Sequence, residues 1–336
     1  MNIDDDGMAV LATGLVGHPT LKRLNLWGMS IGDQGLQDLV GALAGCNLEE
    51  LVLSSNMLMD SVSGLRALGS LVRRTVDMKT LYLNSLTDEG LQSFVEGMAN
   101  CCSLTKLQLS HNLSITANGL ASVSSLFRSE HCSLSELDLY GINIGDDWAE
   151  VLANGLAGNK SLTKLKFDVS IPGIARRGWA AFSRLLCDTS SVNNTYLSNH
   201  TLVHIGNFGM ECTPQDIVQY LKLNESQNQA VAICKILHNH PDIDISPLFR
   251  SNLMCLPLVV AWFEKARPHL EKVDVSTDVF MKRQLSSVYK FIRGMPLLAA
   301  NGFRSQNMKE LELKSKKRKL DQTNIDGRVG LFRHKK

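Results

Sequence analysis

A spacing of apolar residues, apolar-x-x-apolar-x-apolar, recurs through the first half of the chain and leaves few folds open to it. It appears as Leu21-Leu24-Leu26, Leu48-Leu51-Leu53, Met78-Leu81-Leu83, Leu104-Leu107-Leu109, Leu134-Leu137-Leu139 and Leu162-Leu165-Phe167. Val192-Thr195-Leu197 reads as a degenerate seventh copy. Successive copies begin 26 to 30 residues apart. A fixed period of this length marks a chain of small supersecondary units, none of which can bury its apolar side alone. The alternation at the end of each copy is that of a short strand with one buried face.

Between these copies lies a second pattern, with apolar or small residues at offsets 0, 3, 4 and 7. Examples are Leu36-Leu39-Val40-Leu43, Leu91-Phe94-Val95-Met98 and Ala149-Leu152-Ala153-Leu156. That spacing is one face of an α-helix. A glycine precedes six of seven such copies: Gly7, Gly35, Gly64, Gly90, Gly119 and Gly178. Acidic residues lie just upstream (Asp5-Asp6, Asp33, Asp88-Glu89, Asp146-Asp147), where a helix N-terminus favours negative charge. Each unit therefore reads strand, loop, helix.

Leu134-Ser-Glu-Leu-Asp-Leu139, followed by the helical run Asp146–Leu156, resembles the ribonuclease-inhibitor class of leucine-rich repeats, and Leu104-Thr-Lys-Leu-Gln-Leu109 repeats the match. The resemblance implies an α/β fold, a right-handed horseshoe solenoid of about seven strand–helix repeats over residues 1–205, with strands inside and helices outside. The asparagine usual nine residues into such a repeat stands only at Asn56 and Asn112, so the other turns are expected to be less regular. Asn2-Ile3-Asp4-Asp5-Asp6 aligns with Asn143-Ile144-Gly145-Asp146-Asp147, in the middle of a repeat. A first helix that caps the stack and a sequence that is a piece of a longer protein both account for this.

After about residue 205 the period stops. Thr213-Pro214-Gln215-Asp216 reads as a helix start. Helices are expected at 214–222, 227–239, 256–267 and 278–293, forming a small all-α region over 206–304 that covers the last repeat. Residues 305–336 read as a basic, disordered tail. Within it Lys314, Lys316, Lys317, Arg318 and Lys319 put five cations in six positions. This run resembles a monopartite nuclear localisation signal, which implies importin as a partner; a solvated tail is the alternative. The expected location is cytoplasmic, nuclear or both.

Charge and motif content narrow the chemistry. The formal net charge of +2 gives no chain-wide case for nucleic acid. The longest apolar run, Leu253 to Phe263, is about half a membrane span and contains Pro257, so no membrane partner is expected. No zinc-type Cys/His spacing, nucleophile elbow or phosphate-binding glycine loop occurs. No catalytic, cofactor-binding or metal-binding residue is therefore assigned. Cys46, Cys102 and Cys132 each lie two residues before a strand's first leucine and read as one small buried slot, with Cys101 incidental.

The remaining candidate is the concave sheet face, where strand residues pointing away from the leucines form three columns. The first is Arg23, Glu50, Thr80, Lys106, Glu136, Lys164 and Asn194. The second is Asn25, Val52, Tyr82, Gln108, Asp138, Lys166 and Tyr196, and the third runs from Trp27 through Tyr140 to Ser198. Aromatic anchors amid mixed charges suit a protein partner, and the mixed signs disfavour nucleic acid. The residues assigned to this face are Arg23, Trp27, Glu50, Val52, Tyr82, Lys106, Glu136, Tyr140, Lys166 and Tyr196. A protein-interaction scaffold is the first reading. The resemblance also takes in Ran GTPase activators, which makes activation of a Ran-like small GTPase the alternative.

Overall fold

The computed structural model of the chain describes residues 2–59, 61–101, 103–142, 145–168, 173–206, 213–226 and 230–240. Seven strands form one parallel sheet in chain order, as a leucine-rich-repeat solenoid requires. They are β1 (Arg23–Asn25), β2 (Glu50–Val52), β3 (Thr80–Tyr82), β4 (Lys106–Gln108), β5 (Glu136–Asp138), β6 (Lys164–Lys166) and β7 (His204–Ile205). The helix α1 (Asp5–Leu15) precedes them. Between strands lie α2 (Asp33–Leu43), α3 (Val62–Arg74), α4 (Asp88–Gly97), α5 (Ala117–Phe127) and α6 (Asp146–Leu156). After β6 come α7 (Arg176–Leu186) and α8 (Val192–Leu197), and after β7 come α9 (Gln215–Asn224) and α10 (Ala230–Asn239).

The strand register is set by the leucines. Leu24, Leu51, Leu81, Leu107, Leu137, Leu165 and Ile205 pair in one continuous row. From Leu51 to Leu165 every member of the row is fully buried. From α2 to α6 each helix buries its whole 0, 3, 4, 7 face, and neighbouring helices pack side by side. At about 1.5–3 kcal/mol per fully buried aliphatic side chain, this shared core is the main term holding successive units together.

Two polar devices fasten one repeat to the next. Asn56 and Asn112 are buried in the turns after β2 and β4. Asn112 donates from Nδ2 to the carbonyls of Leu83 and Leu109, and its Oδ1 accepts the N–H of Leu86. It thus spans two coils, as Asn56 does two repeats earlier through Leu26, Leu53 and Ile31. Among the described turns without this asparagine, those after β1, β3 and β5 keep the same backbone as the turns that carry it, where less regular turns were expected. Gly28, Ser55, Ser85, His111 and Gly141 all take left-handed backbone at the same place, with φ between 58° and 72°. The parallel strands on either side fix that turn whichever residue follows it.

The seventh repeat required two corrections. Val192-Thr195-Leu197 is not a strand but the short helix α8. Ser191 caps it by accepting the Asn194 N–H, and the buried Thr195 hydroxyl donates to the carbonyl of Asp188. The true strand carries Leu202 and Ile205, which lie 40 residues beyond Leu162 and Leu165 (202 − 162 and 205 − 165) and are buried like them. An insertion containing α8 lengthens this one interval. The strand–helix alternation also runs past residue 205: α9 packs beside α7, burying Ile217, Tyr220 and Leu221. The limit expected at 205 therefore falls inside a repeat, because β7 ends at Ile205 and α9 follows it as the helix of the same unit.

By contact the chain divides into a unit spanning Met1–Ile236 and a second spanning Leu237–Lys336. The expected helices at 256–267 and 278–293 and the basic tail of 305–336 lie outside the described residues. Among the described residues no helix is long and apolar enough to cross a membrane.

Candidate functional site

The sheet face opposite the helices is the surface that the repeat leaves open. Its first row pairs Arg23, Glu50, Thr80, Lys106, Glu136, Lys164 and His204; its second begins Asn25, Val52, Tyr82, Gln108, Asp138 and Lys166. Nine of the ten assigned residues lie where the alternation put them, on these rows or just after the strands. Tyr196 does not. It sits on α8, 60% exposed, because its segment is the inserted helix. His204 was missed; the forty-residue interval hid its strand.

The centre of the face is a charge triad. Glu136 on β5 receives Lys166 of β6 at 2.8 Å and Lys106 of β4 at 3.3 Å, from opposite sides. Partial burial by itself would raise the Glu136 carboxyl, but the hydrogen bond from Lys166 and the charge of Lys106 hold it below its usual range. Burial likewise works to lower the Lys106 amine, and Glu136 outweighs it, leaving Lys106 above its ordinary value. The Lys106 ammonium also stands 5.6 Å from the centre of the Tyr82 ring. Tyr82 is therefore half-buried and already engaged.

Flanking positions are ordered by short-range hydrogen bonds. The Asp138 Oδ1 accepts the Ser110 hydroxyl at 3.0 Å and the Tyr140 N–H at 2.9 Å. Tyr140 meets the His111 ring edge-on with centroids 5.6 Å apart. At the other end Asn25 accepts the Trp27 N–H at 3.0 Å. Trp27 and Tyr140 are 62% and 45% exposed, whereas Val52 is half-buried between strands. Arg23 is exposed and Glu50 half-buried on the adjacent edge, where Lys22 bridges to Glu49 at 3.2 Å. The face thus combines two open aromatic rings with a cluster of two lysines on one carboxylate.

A cleft of about 570 Å³ lies elsewhere, among α6, α7 and the inserted segment. Ala153, Ala157, Ala180 and Ala181 floor it, and Arg177, whose guanidinium is held by Asp147 and Glu150, stands at its side. Among the described residues no group of three His, Cys, Asp or Glu side chains is placed to hold a metal ion.

Cys46 and Cys132 are respectively buried and half-buried, and Cys102 lies outside the described residues. Cys101, read as incidental, points its thiol at the Val72 carbonyl at 3.9 Å, as Cys46 does at the Leu15 carbonyl at 3.5 Å. Asn159 and Asn199 reach the corresponding carbonyls further along, those of Phe127 and Leu156, so a shared place against the end of the previous coil's helix, rather than chemistry, unites them with Cys46 and Cys101.

No protein-family profile matches the chain. A ribonuclease inhibitor from Sus scrofa is 30% identical over 167 residues, 47% of this chain and 36% of that protein. NACHT, LRR and PYD domains-containing protein 5 from Bos taurus is 30% identical over 149 residues, 44% of this chain and 13% of the relative. NACHT, LRR and PYD domains-containing protein 14 from Homo sapiens is 26% identical over 246 residues, 68% of this chain and 21% of the relative. The matched stretches thus span about a third or less of each relative's own length.

Proposed function

We propose that this leucine-rich-repeat protein, similar to ribonuclease inhibitor, is a binding scaffold whose open sheet face takes a protein partner. The observation that carries this reading is the exposure of Trp27 and Tyr140 on the open face of the parallel sheet, the first after β1 and the second after β5, the central strand of the Lys106–Glu136–Lys166 triad. Aromatic side chains with few rotamers supply contact area at low entropic cost and dominate interface energetics. Paired charges around them set orientation and rate of association more than affinity.

The test is affinity capture with the intact chain, followed by replacement of Trp27, Tyr82 and Tyr140 by Ala together. The partner recovered by the parent chain is lost in the triple variant, while far-ultraviolet circular dichroism is unchanged. Tyr196→Ala, off the sheet, retains it. Capture that survives the triple substitution with the fold intact rules the reading out.

The basic run Lys314, Lys316, Lys317, Arg318 and Lys319 supports a second, independent proposal, import into the nucleus through an importin. A fluorescent full-length chain enters the nucleus, and one with these five residues replaced by Ala stays outside. Equal nuclear signal from both rejects it.

A further inference from the structure

The helices on the outer side of the stack do not approach one another evenly. A Cβ on Gly69 of α3 would press into the Phe94 carbonyl and lie 2.9 Å from the Met98 nitrogen. A Cβ on Gly97 of α4 would press into the Arg66 carbonyl and lie 3.0 Å from the Ser70 nitrogen. Each glycine thus meets the backbone of the facing helix, and at that point no side chain separates α3 from α4. Arg66 also reaches Glu96 across this contact, at 2.5 Å.

Two repeat slots make the contact. Gly69 stands five residues after the recurrent Gly64, and Gly97 stands seven after Gly90. The same two slots meet again as Ser124 of α5 and Gly155 of α6, where a Cβ on the glycine would lie 2.6 Å from the Ser124 Cβ. Between α4 and α5 these slots hold Val95 and Leu126, and between α2 and α3 they hold Val40 and Leu71. Val40, Leu71 and Val95 are buried and Leu126 is half-buried. Small and large contacts therefore alternate along this stretch of the stack.

Hydrogen bonding holds neighbouring strands about 4.8 Å apart, whatever the helices do. Packed helices lie about 8–10 Å apart, at a distance that follows the side chains at the contact. The difference between the two spacings is what bends the stack. We propose that Gly69 and Gly97 set its local curvature. They let α3 and α4 close on each other, so the coils of β3 and β4 turn least, while the Val–Leu contacts splay the coils on either side. The open sheet face is then flattest where the Lys106 ammonium meets the Tyr82 ring. This curvature belongs to the stack alone and holds whether or not a partner occupies the face.

Pulsed electron resonance between pairs of nitroxide amino acids in the full chain reads the helix spacing. Gly41 of α2, Ser70 of α3, Ser125 of α5 and Asn154 of α6 occupy one slot, six residues after the recurrent glycine or after Trp148 in its place. Gly41, Ser125 and Asn154 are exposed and Ser70 is half-buried. Each of the pairs Gly41–Ser125 and Ser70–Asn154 spans three helix contacts. The first pair crosses two Val–Leu contacts and one small one, the second one Val–Leu contact and two small ones. In the parent chain the first distance exceeds the second by about 2–4 Å. Gly97→Leu lengthens Gly41–Ser125 by about 1–3 Å. It leaves the distance from Ser125 to Arg184 of α7 unchanged. Gly69→Ala acts in the same direction by less, and Arg66→Ala, which removes only the ion pair, changes neither distance. Should Gly97→Leu fail to fold, the parent distances and Gly69→Ala still decide. Equal parent distances, an unchanged Gly41–Ser125 distance in folded Gly97→Leu, the same lengthening in Arg66→Ala, or an equal shift between Ser125 and Arg184 overturns the role of the two glycines.

Discussion

The Asp146 carboxylate accepts the backbone N–H of Gly178, in the first turn of the following repeat's helix, at 2.9 Å. It accepts the Ala175 N–H there as well, at 2.7 Å. The same relation runs down the stack: Asp5 to Gly32, Asp33 to Gly64 and Asp88 to Thr116. An acid near the start of one helix thus caps the next helix, so its charge serves two helix dipoles. Asp33→Ala and Asp146→Ala each lower stability by about 1 kcal/mol, read as a shift of the urea midpoint with the slope unchanged. Burial tends to raise Asp33, but hydrogen bonds from Ser63, Gly64 and Gln37 outweigh it and lower its proton affinity. A lowered carboxyl gives stability that is complete above the ordinary value of 3.8 and lost as pH falls through the folded value. The Asp33→Ala penalty therefore disappears in strong acid.

The recurrent glycine is the counterpart of that acid. A Cβ on Gly119 would lie 2.4 Å from the Asp88 Oδ1, and one on Gly178 would lie 2.7 Å from the Asp146 Oδ1. Gly119→Ala therefore destabilises by about 1–3 kcal/mol, although alanine is the better helix former. Combined with Asp88→Ala, which removes the clash, the two losses are less than additive in a thermal-denaturation cycle. Additive losses would mean that glycine is there for backbone freedom instead.

Glu136 stands between two lysines on half-buried surface. Glu136→Gln leaves Lys106 and Lys166 facing each other and costs about 1–2 kcal/mol at neutral pH. Because Glu136 is held below its usual range, its contribution is present above the ordinary value of 4.5 and fades as pH drops through the folded value. The melting temperatures of parent and variant therefore differ at pH 7 and converge once the pH has fallen below the folded value. Added salt narrows the gap at pH 7.

Asn199 makes four hydrogen bonds from a fully enclosed position, two donated and two accepted. Asn199→Ala strands two carbonyls and two N–H groups and costs about 3 kcal/mol or more. Its sequence context, Asn199-His200-Thr201, is an acceptor tripeptide for glycosylation, as is Asn159-Lys160-Ser161. Both asparagines are consumed by the backbone, so neither side chain takes a glycan in the folded chain. A mass shift at either position on the folded protein would show that the turn opens.

Periodicity by itself determined the strand–helix unit, the buried leucine row and the outward rows of the sheet from Arg23 to Lys166. Those rest on a local rule, that alternation and the 3.6-residue period assign each side chain to a face. What the tertiary structure decided is where contacts cross between coils. Asp146 and Gly178 each looked like features of their own helix, and only stacking shows them as one interaction. The shift of the seventh strand from Val192–Leu197 to His204–Ile205 is of the same kind. Thr195 matched the spacing, but a strand forms where a neighbouring edge is in reach, and β6 met Ile205. Lys235 makes the point most sharply: nothing in its own helix, α10, announces that its amine donates to the carbonyls of Leu186 and Asn199, dozens of residues away.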